Sequence, residues 1–403
     1  MGYFFDINKI RNDFPILTPP TGGVYFDNAC ATLKPESVIS AIENYYREYP
    51  ACAGRSSHRL GEIVDQKVEG TRKIIADFIN AEPKEIIFTR NTTEGINLIA
   101  RGLEFQKGDA ILVSDKEHNS NLIPWQILKE EKEIELKIVP SKEDNTFDIE
   151  AFKKLIEPKV KLVSIVFTSN LDGVSNPIKE ITKISHQNDS LFLIDGAQAI
   201  GHQKIDVRDL DCDFFAFSGH KMLGPSGMGA VYIKKKSAEK LRPLIVGGGT
   251  VEDSTYESHK LLEAPLKFEA GLQDYAGIIG FGEAVKYLKN VGFENIKSQE
   301  QKLNRIISEG FKDLPQIKII GPANSELRSG IINFYHQKMA SHEISLLLDK
   351  TYNIMTRSGR HCVHSWYNSR NINDSVRASV YFYNTESEAE YFVESIRKII
   401  KLA

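Results

Sequence analysis

The sequence predicts an α/β fold in which a large, mostly parallel sheet is followed by a smaller α+β unit. From residue 85 onward, short apolar runs alternate with amphipathic stretches, the pattern of strands covered by helices on both faces. After residue 285 this alternation gives way to one long helical stretch and shorter strand-like runs. A length of 403 residues also suits two domains.

The predicted elements follow from the apolar runs and their boundaries. Seven runs are predicted strands of the large sheet: 85–88, 110–113, 136–139, 162–167, 191–194, 214–217 and 229–233. Helical patterns separate most of them, as at 119–129 and 178–186, and a further helical pattern at 62–79 precedes the first strand. The later part predicts helices over 294–310 and 387–400 with strands at 317–320, 331–334 and 378–382. We therefore expect a large domain over 17–285 and a small C-terminal domain over 286–403, with residues 1–16 packed on the small one.

Composition excludes several classes of protein. Lys and Arg total 51 against 54 Asp and Glu, a net charge of −3, and 41% of residues are hydrophobic, so neither disorder nor non-specific nucleic-acid binding is expected. Four cysteines are too few for a disulfide scaffold. The first residues lack the pattern of a secretory signal, so none is expected, and no apolar run approaches the roughly 18 residues of a membrane helix. We expect a cytoplasmic protein with reduced thiols and no membrane or nucleic-acid partner.

Two motifs that suggest other cofactors are rejected. The glycines of residues 224–229 have the order GxxGxG and precede a strand, whereas a dinucleotide-binding turn has GxGxxG and precedes a helix. Residues 361–364 read His-Cys-Val-His, but no second Cys/His pair accompanies them, as a structural zinc site would require. No metal site is predicted.

Three polar side chains follow predicted strands. His118 comes after the strand at 110–113, Asp195 directly after 191–194, and Lys221 after 214–217. Ligands of open α/β sheets bind outside the carboxyl ends of the strands, which places all three side chains at one edge. Each alone has a plain structural explanation, such as a helix cap or a surface lysine. Their conjunction indicates a site.

This combination suits pyridoxal 5′-phosphate. A lysine amine forms a Schiff base with the cofactor aldehyde, an acid keeps the pyridine nitrogen protonated, and an imidazole can stack on the ring. The phosphate needs the N-terminus of a helix, and Thr92 and Thr93 open a helical pattern directly after a predicted strand. Simple N-capping by these threonines is the alternative, and it is compatible with phosphate binding.

Longer motifs carry a resemblance to a known family. Residues 218–225 (SGHKMLGP), 195–198 (DGAQ) and 25–29 (YFDNA) resemble the class V aminotransferase group of fold-type I PLP enzymes. Residues 357–362 (RSGRHC) are similar to the active-site cysteine loop of group II, SufS-like cysteine desulfurases, and 377–379 (RAS) to their substrate-carboxylate arginine segment. The resemblance extends from residue 25 to the C-terminus.

The resemblance implies a role for each matching residue. Lys221 holds the cofactor and later shuttles the proton, Cys362 is the persulfide-forming nucleophile, and His118 completes the catalytic set. The implied cofactor ligands are Asp195 at the pyridine nitrogen, Gln198 at the ring oxygen, His118 on the ring face, and Thr92, Thr93, Ser218 and His220 at the phosphate. The implied substrate-binding residues are Asn170, Arg377, Arg357 and His58, with Arg55 serving the neighbouring subunit.

The resemblance also implies an activity and partners. It implies conversion of L-cysteine to L-alanine, with sulfur passing to Cys362 as a persulfide for iron–sulfur cluster or thio-cofactor assembly. A homodimer and a sulfur-acceptor or scaffold protein are the implied partners. Alternatives are a selenocysteine lyase, C–S lyase, epimerase or aminotransferase of the same fold, or a non-catalytic scaffold, which would not need Lys221, Asp195 and Cys362 together. One departure is Leu272 followed by Gln273, where the family has a threonine that reaches the partner subunit's phosphate.

The four cysteines receive different interpretations. Cys362 follows Arg357, Arg360 and His361, cationic side chains that would favour its thiolate if the loop turns them the same way. Cys212 lies beside an apolar strand and is predicted to be packed. Cys30 and Cys52 lie in loops without a supporting motif.

Overall fold

The structure is a computed structural model that describes residues 5–18, 22–54 and 56–402. Its strands are β1 Val24–Tyr25, β2 Ile86–Thr89, β3 Ala110–Ser114, β4 Glu135–Val139, β5 Val160–Val166, β6 Leu191–Asp195, β7 Phe214–Ser218, β8 Gly229–Ile233, β9 Val251–Ser254, β10 His259–Leu261, β11 Ile317–Ile320, β12 Ile331–His336, β13 Ile354–Met355, β14 Arg357–Gly359 and β15 Ser375–Ser379. Its helices are α1 Ile7–Asn12, α2 Glu36–Glu48, α3 Arg59–Ile79, α4 Thr92–Gly102, α5 Ile123–Lys132, α6 Ile149–Leu155, α7 Ile178–Gln187, α8 Val207–Leu210, α9 Lys235–Ala238, α10 Tyr275–Val291, α11 Phe293–Gly310, α12 Ser341–Tyr352, α13 His364–Ser369 and α14 Glu386–Ile399.

The seven predicted strands of the first part form one sheet. Within the described ranges its order is β2-β8-β7-β6-β5-β3-β4, with β8 antiparallel to both neighbours and all other pairs parallel. Strands β2, β3, β7 and β8 are buried along their whole length, because helices cover both faces of the sheet. The α/β fold class with a mostly parallel seven-stranded sheet is confirmed.

A second, antiparallel sheet lies in the later part of the chain. In the described residues it has the order β11-β12-β15-β14, and its apolar face packs with α11, α12 and α14 in one core. The strand predicted at 378–382 lies instead at 375–379. Residues 380–382 are as apolar and buried as the strand, which explains the wrong prediction, but they belong to a loop. Strand β14 was not predicted, since three residues that include Gly359 carry no apolar alternation.

The N-terminal segment packs on this later part of the chain. The Arg11 guanidinium donates to the Tyr383 carbonyl at 2.7 Å and pairs with Glu388 at 2.9 Å. The Phe14 ring lies 4.6 Å from the Tyr383 ring. The division at 285/286 stays a prediction, and helix α10 runs through it. In the described residues no helix is both long enough and apolar enough to span a bilayer.

A buried ion pair fixes the segment that follows β10. Both Arg72 guanidinium NH₂ groups donate to the Glu269 carboxylate, at 2.7 and 2.9 Å. Glu269 also accepts from the Phe88 backbone N–H at 2.7 Å, and Arg72 donates to the Ile86 carbonyl at 2.9 Å. The pair therefore joins α3, β2 and the 269–274 segment, and removing one partner leaves the other charged and buried.

Replacing Glu269 with alanine should destabilise the protein by about 3–5 kcal/mol, because the Arg72 guanidinium would lose its buried partner and keep only the exposed Glu69 at 3.3 Å. Urea titration at fixed protein concentration measures the effect. The matched control is Glu252→Ala, which removes an exposed pair with Lys260 on the β9–β10 hairpin and should leave the denaturation midpoint unchanged. Equal midpoints for the two variants would contradict a stabilising role of the buried pair.

Candidate active site

Four parallel strands bring polar side chains to one edge of the seven-stranded sheet. His118 follows β3, Asn170 follows β5, Asp195 ends β6 and Lys221 follows β7. These side chains open onto a cavity of about 240 Å³. The cavity is lined by Ala29, Cys30, Asn91, Thr92, Thr93, His118, Ser120, Val166, Asn170, Asp195, Ala197, Gln198, Ser218, His220, Lys221, Arg357, His361, Cys362 and Arg377.

Every predicted site residue except His58 lines this cavity. His58 is exposed and caps helix α3, where its Nδ1 accepts from the Gly61 backbone N–H at 3.3 Å. Arg55, expected to serve a neighbouring subunit, lies outside the described residues. The substrate-binding role of His58 stays a prediction, since the chain does not bring it to its own cavity.

Lys221 and Asp195 form the charged centre of the cavity. Lys221 is half-buried, and desolvation lowers the pKa of its amine, an effect that the Asp195 carboxylate opposes. Burial likewise raises the pKa of Asp195, and Lys221 opposes it. One Asp195 oxygen accepts from the Ala197 backbone N–H at 3.0 Å. A buried acid of this kind suits a cationic ring nitrogen.

The N-terminus of helix α4 forms a second wall. Asn91 caps the helix through its side-chain oxygen, which accepts from the Glu94 N–H at 3.0 Å. The Ser218 hydroxyl accepts from the Thr92 N–H at 2.8 Å, and the Thr93 hydroxyl lies 2.7 Å from that of Ser120. Hydroxyls and a helix N-terminus together are the donors that a phosphate group needs.

Two of the three histidines that line the cavity, His118 and His220, are neutral near pH 7. Burial, followed by the charges of Lys221 and Arg377, lowers the pKa of His118 to about 3. Burial and Lys221 lower the pKa of His220 to about 4. His118 Nδ1 accepts from the Ser120 N–H at 3.0 Å, which fixes the ring plane. An uncharged, oriented imidazole can stack on an aromatic cofactor ring.

Arg377 joins the two sheets across the cavity. It lies on β15, is 2% exposed, donates to the Asn170 carbonyl at 3.0 Å and pairs with Asp27 at 3.5 Å. Its buried Nε has no hydrogen-bond partner among the described residues, and neither has His361 Nδ1. An anionic ligand such as a carboxylate would satisfy the Arg377 guanidinium.

Cys362 lies on a short loop that ties β14 to helix α13. His361 and Cys362 have φ of 47° and 59°, left-handed values that cost energy for residues with a Cβ atom. The Asn170 side chain donates to the His361 carbonyl and the Asn119 N–H to the Cys362 carbonyl, both at 2.7 Å. These two bonds from the large sheet hold the strained loop at the rim of the cavity.

The cationic residues before Cys362 do not all point toward it. Arg360 donates away from the cavity, to the Asn373 carbonyl and the Asn368 side chain, both at 2.9 Å. Burial lowers the pKa of His361 well below its usual value, so its ring supplies no charge. Arg357 does face the cavity, but it donates to Cys30.

The described residues include no cluster of three or more His, Cys, Asp or Glu side chains placed to bind a metal ion.

The loop after β1 is the part of the site that sequence reasoning missed. The sequence assigns Cys30 no role beyond a loop, yet its Sγ lies in the cavity wall, 2.5 Å from Arg357 Nη1. The Gln198 side chain donates to the Ala29 carbonyl at 2.7 Å, and the Thr32 N–H donates to the His220 carbonyl at 2.9 Å. The motif at residues 25–29, which directly precedes Cys30, is the sequence signal by which this loop could have been placed at the site.

The donor set fits pyridoxal phosphate. A reactive amine, a buried acid, a neutral imidazole and a hydroxyl-rich helix terminus surround one cavity. The guanidinium Nε of Arg377 is a donor without a partner among the described residues. A second anionic group, such as the carboxylate of an amino acid, can accept from it. No residue of the lining conflicts with a ligand that carries a phosphate at one end and an aromatic ring at the other.

Comparison with known proteins agrees with this geometry. The family model for aminotransferase class-V matches residues 24–392. A protein named "Probable cysteine desulfurase" from Pyrococcus abyssi is 39% identical over 395 residues, 97% of each chain. A cysteine desulfurase from Serratia proteamaculans is 37% identical over 406 residues, 99% of each. The apo structure of a cysteine desulfurase from Thermococcus onnurineus NA1 matches with a TM-score of 0.96 at 35% identity, covering 100% of both chains.

The family match covers both sheets and every residue that lines the cavity. It also agrees with the motifs at 195–198 and 218–225, which carried the resemblance in the sequence. On the strength of this match and of full-length relatives above 30% identity, the chain belongs to the class V aminotransferase family.

Proposed function

We propose that this protein is a PLP-dependent cysteine desulfurase that converts L-cysteine to L-alanine and takes the sulfur on Cys362 as a persulfide. The observation that carries the proposal is that Lys221, Arg377 and Cys362, from three separate parts of the chain, line one cavity. A base, a carboxylate-binding guanidinium and a thiol are the three groups that this reaction needs. The relatives above 35% identity that bear this name support it.

The cofactor would be held by the residues already described. Lys221 is the amine that would attach to its aldehyde, and Asp195 would pair with the pyridine nitrogen. His118 would stack on the ring, and Gln198 would bond its oxygen. Phosphate would be bound by the hydroxyl-rich helix terminus: Thr92, Thr93, Ser218 and His220. Once bound, pyridoxal phosphate supplies an electron sink for the bond that breaks at the substrate Cα.

The chain's own residues then act on the substrate in turn. Arg377 binds the carboxylate, with Asn170 and Arg357 beside it. Lys221 Nζ removes the proton at Cα and later returns one. Cys362 Sγ attacks the substrate sulfur, so that an S–S bond forms while the substrate Cβ–S bond breaks. The electron pair of that bond stays with Cβ, which takes up a proton, and alanine leaves.

The Cys362 loop suits the second half of the reaction. Cys362 is half-buried and lies at the cavity rim, so its persulfide can meet both the substrate inside and a thiol outside. Persulfide transfer is thiol exchange, whose rate depends on access. Cys212 is wholly buried, and burial raises the pKa of its thiol, so it lacks both properties.

We propose further that the protein acts in the cytoplasm as a group II homodimer and passes sulfur to an acceptor or scaffold protein for cofactor assembly. Ile245 and Leu272, 52% and 74% exposed, line a groove together with Leu244 and Gln273. Burial of this apolar surface against a second copy would stabilise a dimer. Gln273, rather than Leu272, could then donate to the partner's phosphate.

Lys221→Ala should abolish the yellow absorbance that the proposed enzyme shows with its cofactor. Alanine formation from L-cysteine should fall by at least about 10²-fold, because the base at Cα is lost. Visible spectra and alanine analysis measure both effects. Lys267→Ala, a lysine outside the cavity, is the control. Turnover that survives in Lys221→Ala would contradict the mechanism.

Cys362→Ser should form no persulfide and should lose sulfur transfer, because a hydroxyl oxygen does not replace a thiolate as the sulfur acceptor. Mass spectrometry of the alkylated protein and sulfide release with a reductant measure the result. Cys212→Ser is not suitable as a control because Cys212 is buried in the core, so the exposed Cys52→Ser serves instead. Sulfide release by Cys362→Ser at the wild-type rate would point to a simple C–S lyase.

Arg377→Lys should raise KM for L-cysteine by about 10-fold or more while Cys362 still accepts sulfur at saturating substrate. Lysine keeps the charge but lacks the planar fork that binds a carboxylate through two hydrogen bonds. Steady-state kinetics separate KM from kcat. A fall in kcat with unchanged KM would instead indicate a role in holding the two sheets together.

A further inference from the structure

Cys30 is a second thiol in the cavity that the proposed reaction does not use. Its Sγ is 2.5 Å from Arg357 Nη1, and both side chains line the cavity together with Lys221 and Cys362. Cys52 is exposed and Cys212 is buried elsewhere. Of the four cysteines, therefore, Cys30 alone shares a cavity with the sulfur-accepting Cys362.

The backbone around Cys30 is held by hydrogen bonds to distant residues. The Ala29 N–H donates to the Ser379 hydroxyl at 2.9 Å, and the Ala29 carbonyl accepts from Gln198 at 2.7 Å. The Cys30 N–H donates to the Asp27 carbonyl at 3.1 Å. These bonds fix the backbone of residues 29 and 30 relative to β15 and to the segment after β6.

A cationic side chain lies directly beside the Cys30 thiol. The Arg357 guanidinium donates to Sγ, and a hydrogen bond from an ionised donor strengthens when its acceptor is also ionised. In the same cavity, Arg377 Nε and His361 Nδ1 are buried nitrogens without a partner among the described residues, and their residues are 2% and 5% exposed. The cavity is therefore built to receive an anionic ligand next to this thiol.

We propose that Cys30 is an internal sulfur relay, which takes the terminal sulfur of the Cys362 persulfide before an outside acceptor does. The proposal rests on the proposed desulfurase function. In the step, the Cys30 thiolate attacks the terminal sulfur of Cys362–S–SH. A new S–S bond forms on Cys30 while the S–S bond on Cys362 breaks, and Cys362 leaves as a thiolate. The proton stays on the transferred sulfur or is lost to solvent, and no external oxidant or reductant is needed.

Attack of the Cys30 sulfur on the terminal sulfur of the Cys362 persulfide does not require the two cysteines to approach as closely as a Cys30–Cys362 disulfide does. The terminal sulfur lies about 2 Å from Cys362 Sγ, the length of one S–S bond, so its transfer requires a longer separation of the two cysteine sulfur atoms than a disulfide does. Arg357 would then bind the persulfide on Cys30, which is anionic more readily than a thiol. The relay would free Cys362 for a second substrate while the first sulfur waits inside.

The test is a single turnover of the cofactor-loaded enzyme with L-cysteine and no reductant. Samples are quenched by alkylation at successive times, and peptide mass spectrometry under non-reducing conditions locates the transferred sulfur. The relay predicts that sulfur appears first on Cys362 and then on Cys30, at a rate independent of enzyme concentration. Cys30→Ser should keep sulfur on Cys362 only, and Cys362→Ser should have none on Cys30.

The control is Cys52→Ser, which should behave as wild type because Cys52 lies outside the cavity. Sulfur on Cys362 but never on Cys30 would overturn the relay. So would sulfur on Cys30 in Cys362→Ser, or a Cys30–Cys362 disulfide formed with release of sulfide. Absence of both alanine and any sulfur on Cys362 in wild type would instead overturn the proposed function itself.

Discussion

The buried Arg377 guanidinium is the interaction on which the site depends. It lies on the central part of the four-stranded sheet, yet its partners belong to other units: the Asn170 carbonyl after β5 and the Asp27 carboxylate after β1. A buried cation must be compensated by such partners, because its desolvation costs several kcal/mol. The pairing therefore fixes how the two sheets face each other, and the cavity between them is a consequence of that arrangement.

The cavity is dominated by positive charge and neutral rings. Lys221, Arg357 and Arg377 face a single lining carboxylate, that of Asp195, while His118 and His220 carry no charge near neutral pH. Such a site is incomplete without anionic ligands, and a phosphorylated cofactor with an amino-acid substrate supplies them. The positive charge of the cavity also suits a persulfide, which is an anion as well.

Much of the fold and site could be predicted from sequence because local patterns carry the information. Apolar runs marked the seven strands, and the residues directly after them, such as Asp195 and Lys221, were placed at the correct edge by parallel topology alone. The predictions that failed concern features that are determined by contacts between residues far apart in the sequence. The strand predicted at 378–382 lies at 375–379 in the structure. Residues 380–382 are apolar and buried, as strand residues would be, but they belong to a loop. The place of Cys30 in the cavity was not predicted, because it depends on bonds of the neighbouring Ala29 to Gln198 and Ser379, far along the chain.

Hydrogen bonds between residues far apart in the sequence also determine when the site can form during protein synthesis. The Ala29 N–H meets the Ser379 hydroxyl across 350 positions, so the first wall of the cavity is made long before its partner leaves the ribosome. The seven-stranded sheet can form on the emerging chain, since domains fold as they appear. The loop of residues 27–34 must wait, and contacts of such long separation form slowly. The cavity is therefore completed only when residues 357–379 have been made, and a chain truncated before them would carry Lys221 without Arg357, Cys362 and Arg377.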